Sequence, residues 1–157
     1  MSTVLAFASV IGITAVVFGT RARHRGAPVD LAASGAAAFG SGLLTLMLMT
    51  GNLATLILPA MAFGEPVDHL SLSLAFAVTI AGLLCLRLAT ALTRGELHAQ
   101  KRTLGSALVI LGVTLPLSAS DPAAALMACS ALVHVGALLF SRTHIRQLSE
   151  PAASPRC

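Results

Sequence analysis

The chain alternates long apolar runs with short polar segments. Runs of about 20 apolar residues have the length that a helix needs to cross a hydrocarbon core of roughly 30 Å. Backbone groups in lipid must bond internally, which favours helices, and the runs lack the alternation of a membrane β-barrel strand. We therefore predict an all-α integral membrane protein whose single domain, residues 1–141, has five transmembrane helices. Their predicted bounds are about 4–19, 31–58, 70–92, 104–119 and 123–140.

Prolines and small residues refine this pattern. Pro28 and Asp30 are suited to the start of the second helix, and Pro59 marks its predicted end. The first helix contains two pairs of small residues spaced four apart, Ala8 with Gly12 and Ala15 with Gly19, and this spacing lets two helix backbones approach closely. The last segment, 142–157, is polar and contains two prolines, so we predict a disordered tail.

Composition supports the bilayer as the solvent of this chain. Hydrophobic residues make up 56% of it and charged residues 10%, whereas a soluble domain has about 25% charged residues. The net charge of +4 arises from loops between apolar runs, so it does not indicate a nucleic-acid partner. The three cysteines have no C-x-x-C spacing, which argues against a disulfide framework or a structural zinc site.

Loop charges predict the orientation of the helices. Basic residues follow the first, third and fifth apolar runs, whereas the other two loops contain acids but no lysine or arginine. The positive-inside rule then places the N-terminus outside and the C-terminus in the cytoplasm. Arginine far outnumbers lysine and alanine is abundant, which favours a bacterial inner membrane. The basic residues of the predicted cytoplasmic side are Arg21, Arg23, Arg25, Arg94, Lys101, Arg102, Arg142, Arg146 and Arg156.

Three polar side chains within the predicted spans are candidate functional residues. Arg87 lies in the third helix near the cytoplasmic edge, where its side chain either snorkels to water or pairs with an acid of another subunit. His134, in the inner half of the fifth helix, is either a neutral histidine bonded across helices or part of a proton relay. A b-type haem usually needs two histidines, so no haem is predicted. Asn52 lies near the outer end of the second helix.

Glu65, Asp68 and His69 form a polar cluster in the predicted outer loop. Carboxylates with histidine suit zinc or Cu(II), and nearby sulfur ligands suit Cu(I), so an outer-face metal site is one hypothesis. The other interpretation of this segment is an ordinary turn followed by a helix start. No hydrolase or phosphate-loop motif is present, so we expect neither an enzyme nor a bound cofactor. Sulfur-containing residues near the predicted outer face are Met47, Met49, Met61, Met127 and Cys129.

Residues 87–105 resemble the G-type subunit of multisubunit monovalent cation/proton antiporters. The first loop, Arg25 to Asp30, is more faintly similar to a turn of the F-type subunit. The chain departs from the G-type pattern at Leu88-Ala89-Thr90, where that family has Leu-Pro-Asp, and its subunits have three helices. The resemblance implies a structural subunit that carries no ion-binding residue. The matching residues are Arg87, Arg94, Leu97-His98-Ala99, Lys101 and Thr103-Leu104-Gly105.

These observations lead to one functional expectation and two alternatives. Five short helices with many small residues enclose little volume and offer few polar groups to line a path. We therefore expect an accessory or structural subunit of a larger membrane complex, whose partners are lipid and other subunits or copies of itself. The resemblance names a cation/proton antiporter as the candidate complex. The alternatives are a small oligomeric transporter and an outer-face copper- or zinc-binding membrane protein.

Overall fold

The computed structural model describes residues 2–64, 66 and 68–149, and the side chains of 6, 8–64, 66 and 68–141. The described chain is all-helical and contains no strand, which confirms the all-α part of the predicted fold class. Three of the helices, over Val29–Phe63, His69–Thr93 and Pro122–Ser141, are long and apolar enough to cross a membrane. The five helices are α1 (Ser2–His24), α2 (Val29–Phe63), α3 (His69–Thr93), α4 (Leu97–Leu117) and α5 (Pro122–Ser149).

Helices α2 to α5 form a four-helix bundle, and α1 lies outside this bundle. Helices α2, α3, α4 and α5 each pack on their neighbours in the chain, and α5 closes the ring against α2. Helix α1 packs on α2, where the Phe18 and Phe39 rings stack with centroids 4.8 Å apart. A Cβ added to Gly19 would lie 3.0 Å from the Ala36 Cβ, and one added to Gly40 would lie 3.1 Å from the Ala15 Cβ, so the close approach predicted at Ala15 and Gly19 is confirmed. The close approach predicted at Gly12 is wrong, because nothing lies within 4 Å of a Cβ added there.

The helices are longer than the apolar pattern predicts. Helix α2 does not end at residue 58, because Pro59 removes a single backbone donor and the helix continues to Phe63. Gly64 ends it in the left-handed conformation, with φ 67°, and donates its N–H to the Ala60 carbonyl at 3.0 Å. Helix α1 runs to His24 instead of 19, and α4 begins at Leu97 instead of 104, because basic and polar residues are good helix formers outside the apolar core. At its other end, α4 stops at Leu117, two residues before the predicted end at 119.

Helix α5 also passes the predicted end at residue 140. The backbone of 142–149 is helical where the sequence predicts a disordered tail, since this segment contains no glycine or proline. Residues 150–157 of the predicted tail lie outside the described residues.

Two apolar clusters fill the bundle. The outer cluster lies toward the α2–α3 and α4–α5 turns and includes Met49, Val78, Ile110 and Met127. The inner cluster lies toward the opposite end of the bundle. It includes Ala38, Ala89, Leu92, Ala99 and Leu138.

Helices α2 and α3 make backbone contact at small residues. A Cβ added to Gly42 would lie 2.7 Å from the Gly82 carbonyl oxygen and 2.9 Å from the Leu86 nitrogen. A Cβ added to Gly35 would collide with the methyl group of Thr93. At Gly42 the added Cβ would meet backbone atoms, which move only if the helices separate, whereas at Gly35 its shortest contact is with a side-chain methyl. The two glycines therefore let α2 and α3 approach more closely than larger residues would allow without a shift.

Candidate functional site: a polar layer inside the bundle

A layer of polar side chains crosses the bundle between the two apolar clusters. Helix α2 supplies Ser41 and Thr45, α3 supplies Cys85, α4 supplies Ser106 and α5 supplies His134, and all five are buried. We call these five residues the polar layer. On each helix, buried residues recur every three or four positions and form a stripe that faces the bundle axis. The five residues of the polar layer occupy positions in these buried stripes.

The stripe of each helix fixes where the layer lies. On α2, Ala38 of the inner cluster precedes Ser41 and Thr45, and Met49 of the outer cluster follows them at the same helical spacing. On α5, His134 lies between Ala131 of the outer cluster and Leu138 of the inner cluster. On α2 and α5, apolar side chains therefore flank the layer toward both ends of the bundle. On α3, Cys85 itself belongs to the outer cluster, and on α4 the buried stripe continues toward the inner cluster with Thr103 and Gln100.

His134 is the largest polar side chain of the layer and has an exposed fraction of 0%. Its Nδ1 lies 4.0 Å from the Cys85 Sγ, at the long limit of a hydrogen bond to sulfur. The Ser106 hydroxyl donates to the Arg102 carbonyl at 3.0 Å. The contact between His134 and Cys85 joins α5 to α3, and the prediction that His134 is a neutral histidine bonded across helices stays a prediction.

Three polar atoms of the layer have no hydrogen-bond partner: the Ser41 Oγ, the Thr45 Oγ1 and the His134 Nε2. Other buried hydroxyls of the bundle bond to carbonyls of their own helix, as Thr103 does to Ala99 and Thr114 to Ile110. A buried donor or acceptor without a partner costs free energy, most of all in lipid. These three atoms of the layer could therefore still form hydrogen bonds.

The layer has the chemistry for proton exchange and weak coordination, but this chain alone supplies too few ligands for a metal. Cys85 and His134 are its only typical ligands, and no group of three His, Cys, Asp or Glu side chains occurs among the described residues. Thr45 and His134 have no exposed surface, so these two side chains are closed off from the outside of the bundle in this conformation.

On the outer side, Asp68 is the N-cap of α3. Its carboxylate accepts hydrogen bonds from the Leu70 N–H at 3.1 Å and the Ser71 N–H at 3.3 Å, and also from the Ser71 hydroxyl. The Ser71 hydroxyl, followed by the two amides, lowers the pKa of the Asp68 carboxyl below its ordinary value of 3.8. The helix-start interpretation of this segment is therefore confirmed for Asp68.

The metal hypothesis for the outer face stays a prediction, because Glu65 lies outside the described residues. His69 is exposed in the first turn of α3, and Asp68 is engaged as the cap. Of the sulfur ligands, Met49 and Met127 are buried in the outer cluster, where they fill space between helices. The others, Met47, Met61 and Cys129, are exposed.

Arg87 and Asn52 lie away from the polar layer. Arg87 is exposed on α3, and within the described part of the chain no carboxylate forms an ion pair with it. Asn52 is half-buried in a cleft of about 360 Å³ near the outer ends of α2, α3 and α4, together with Thr55 and Ser71. The structure therefore does not bring the three predicted intramembrane candidates, Arg87, Asn52 and His134, into one site.

Sequence reasoning identified His134 but missed its neighbours. Cys85, Ser41, Thr45 and Ser106 are small residues within apolar runs, and nothing in their type distinguishes them from packing residues. The available signal was their position in the buried stripe of each helix, which becomes informative only when the helices that face each other are known.

Comparison with known proteins returns no relative: no family model, no curated protein and no solved structure matches the chain. The resemblance of residues 87–105 to an antiporter subunit therefore stays a prediction. In the structure these residues form the end of α3, the turn at Gly95 and the first half of α4.

Proposed function

We propose that the protein is a structural subunit of a larger complex in a bacterial inner membrane. In this proposal all five helices span the bilayer, with the N-terminus outside and the C-terminus in the cytoplasm. Helix α4 lies in the ring between α3 and α5, so a bundle that inserts α3 and α5 carries α4 with it. At about 1.5 Å per residue, the 23 residues of α1 reach about 35 Å, enough to cross a core of roughly 30 Å. Helix α4, with 21 residues, reaches about 32 Å only together with its first turns, which carry Lys101 and Arg102 at the cytoplasmic edge.

The closed interior of the bundle is the observation that carries the structural role. A transporter needs a polar path to the middle of the membrane, and here Thr45 and His134 have no exposed surface and apolar side chains flank the layer on α2 and α5. Two clefts, of about 770 and 360 Å³, lie instead between helix ends at the periphery. We therefore propose that the protein functions by binding other subunits of the complex.

The outward face of α3 is the surface that we propose for a partner subunit. Phe76, Ile80, Leu83 and Leu84 are exposed along it, and Arg87 ends the same stripe at the cytoplasmic side. Lipid would satisfy the apolar residues, but a charge nearly two turns inside the helix end favours an acidic side chain of a neighbouring protein. This surface therefore offers a partner subunit an apolar area for packing and one positive charge, that of Arg87, for an ion pair.

Photo-crosslinking in membranes tests this assignment. A photoreactive amino acid at Ile80, which is exposed, is compared with one at Val78, which is fully buried in the same helix. We expect protein adducts of higher mass from Ile80 and none from Val78, and Arg87→Ala should reduce the adducts. Lipid adducts alone from Ile80 would contradict the proposed interface.

The three unpaired atoms of the polar layer favour a second candidate, a small transporter that works as an oligomer. Such a protein would open the layer in another conformation and use His134 as a proton carrier. Flux of protons and monovalent cations into proteoliposomes distinguishes the two. A structural subunit gives no flux above that of empty vesicles, whereas flux that His134→Leu abolishes would establish transport.

A further inference from the structure

A second feature of the molecule lies at the end of the bundle that we place in the cytoplasm. A cleft of about 770 Å³ opens between the last turn of α1, the turn that follows it and the end of α3. We call it the basic cleft. The lining residues that matter here are Arg21, Arg25, Arg94, Thr90, Phe18 and Leu31.

The basic cleft concentrates positive charge. Arg21 and Arg25 come from α1 and its following turn, whereas Arg94 follows α3, so three guanidinium groups from two separate chain segments line one space. No carboxylate is among the described residues that line it. Asp30, in the first turn of α2, and Glu96, the N-cap of α4, each follow or precede a lining residue in the sequence but do not line the cleft. Guanidinium groups present planar pairs of N–H donors that match the oxygen atoms of a phosphate.

The other wall of the cleft is apolar. Leu31 is buried, and the Phe18 ring is held by its stack on Phe39. A cleft that is basic at its mouth and apolar toward the helices suits an amphipathic anion. A free phosphate ion would use the arginines but would gain nothing from the apolar wall.

Backbone contacts fix the shape of the cleft. The turn after α1 is closed by the Gly26 N–H, which donates to the Arg23 carbonyl at 2.9 Å, and the turn after α3 by the Gly95 N–H, which donates to Leu92 at 2.9 Å. Both glycines have positive φ, 89° and 76°, which other residues rarely adopt. The arginines are therefore carried by preformed turns, which lowers the cost of ordering them on binding.

We infer that the basic cleft binds the phosphate headgroup of an anionic phospholipid, with its acyl chains along Phe18 and Leu31. Basic pockets between helices on the cytoplasmic side of membrane proteins bind such headgroups. The inference takes the position of the cleft at the membrane surface from the proposed function, but it does not depend on a subunit role. The ligand is a lipid of the surrounding leaflet, held as a fixed part of the folded protein.

Native mass spectrometry of the isolated protein tests the inference. The protein in mild detergent is titrated with phosphatidylglycerol, with phosphatidylcholine of the same acyl chains, and with inorganic phosphate. We expect one phosphatidylglycerol to bind more tightly than phosphatidylcholine. Removing one arginine should weaken binding about fivefold, and the double change of Arg21→Gln and Arg25→Gln about 25-fold.

The control variant is Arg102→Gln, which removes an exposed arginine on the same side of the molecule but outside the cleft. Its phosphatidylglycerol affinity should stay within about twofold of the unchanged protein, because charge at that distance is screened by salt. Arg94→Gln, on the other chain segment, provides an independent test if the double variant loses its helix content by circular dichroism.

Each remaining outcome overturns the inference. Equal affinity for both lipids would show that the charge of the headgroup does not matter. An equal loss in Arg102→Gln would indicate a diffuse surface effect, and displacement of the lipid by inorganic phosphate at similar concentration would indicate a phosphate site. A failure here leaves the subunit role intact, since the measurement uses the isolated chain and crosslinking in membranes tests partners separately.

Discussion

The crossing of α2 and α3 at Gly42 gives a stability prediction whose size follows from the structure. The substitution is Gly42→Ala. Its added Cβ would lie 2.7 Å from the Gly82 carbonyl oxygen, 2.9 Å from the Leu86 nitrogen and 3.3 Å from the Cys85 Cβ. The two shortest of these distances are to backbone atoms, which move only if the helices separate. The strain would also reach the polar layer, because Cys85 belongs to that layer and also lies at the crossing of α2 and α3.

Two effects of opposite sign decide the outcome. Overpacking of this kind costs about 1–3 kcal/mol, whereas alanine is favoured over glycine inside a helix by up to about 1 kcal/mol. Gly51→Ala, in the same helix, is the matched control, since nothing lies within 4 Å of its added Cβ. The helix term cancels between the two variants, so Gly42→Ala should be less stable than Gly51→Ala by about 1–3 kcal/mol.

The buried thiol of Cys85 provides the assay. In a background of Cys129→Ser and Cys157→Ser, a maleimide dye becomes fluorescent only when Cys85 is exposed by unfolding. At about 2–4 °C per kcal/mol for a chain of this size, the Tm of Gly42→Ala should be about 2–12 °C below that of Gly51→Ala. Equal Tm values, or a higher value for Gly42→Ala, would refute the backbone contact between α2 and α3.

Three further predictions concern the other features of the molecule. His134→Leu should change the free energy of unfolding by less than about 1 kcal/mol in the same assay, because its one bonded partner is a weak thiol contact, and a much larger loss would contradict this. The Asp68 cap stabilises the start of α3 above the ordinary carboxyl pKa of 3.8 and is lost as pH falls through its lowered pKa. Hydrogen exchange of the first amides of α3, corrected for intrinsic rates, should therefore accelerate below that pH, and a protein with Asp68→Asn should lack this acceleration. In otherwise cysteine-free protein, an impermeant maleimide applied to intact cells should label Ser120→Cys but not His98→Cys, and the reverse pattern would contradict the orientation.

Hydrophobic pattern predicted the helices well because burial in lipid and burial in a helix bundle select the same residues. It placed all five helices and located His134 among buried groups. Helix ends were less predictable, because Pro59 at the end of α2 and the basic segment that begins α4 are compatible with helix once neighbouring turns satisfy the backbone. The ends of an apolar run show where side chains stop being buried. The end of a helix is instead the position at which its backbone hydrogen bonds stop, and the two positions differ here.

The polar layer and the basic cleft were not predictable as sites, since each joins residues that are distant in the chain. Cys85 and His134 are 49 positions apart, and only the ring of helices brings them to 4.0 Å. The arginines of the cleft were predicted as orientation signals, but their convergence depends on α1 packing against α2 outside the bundle. Helix pairing is therefore the information that one sequence does not carry.

Mass measurement of the assembly tests the proposed structural role most directly. The protein is extracted from the membranes of the cells that make it, in a mild detergent that preserves native complexes, and its native mass is measured. A structural subunit should appear in a species heavier than its own mass of 16.0 kDa plus bound lipid, with other membrane proteins in fixed ratio. A single 16.0 kDa chain with lipid alone would contradict the account.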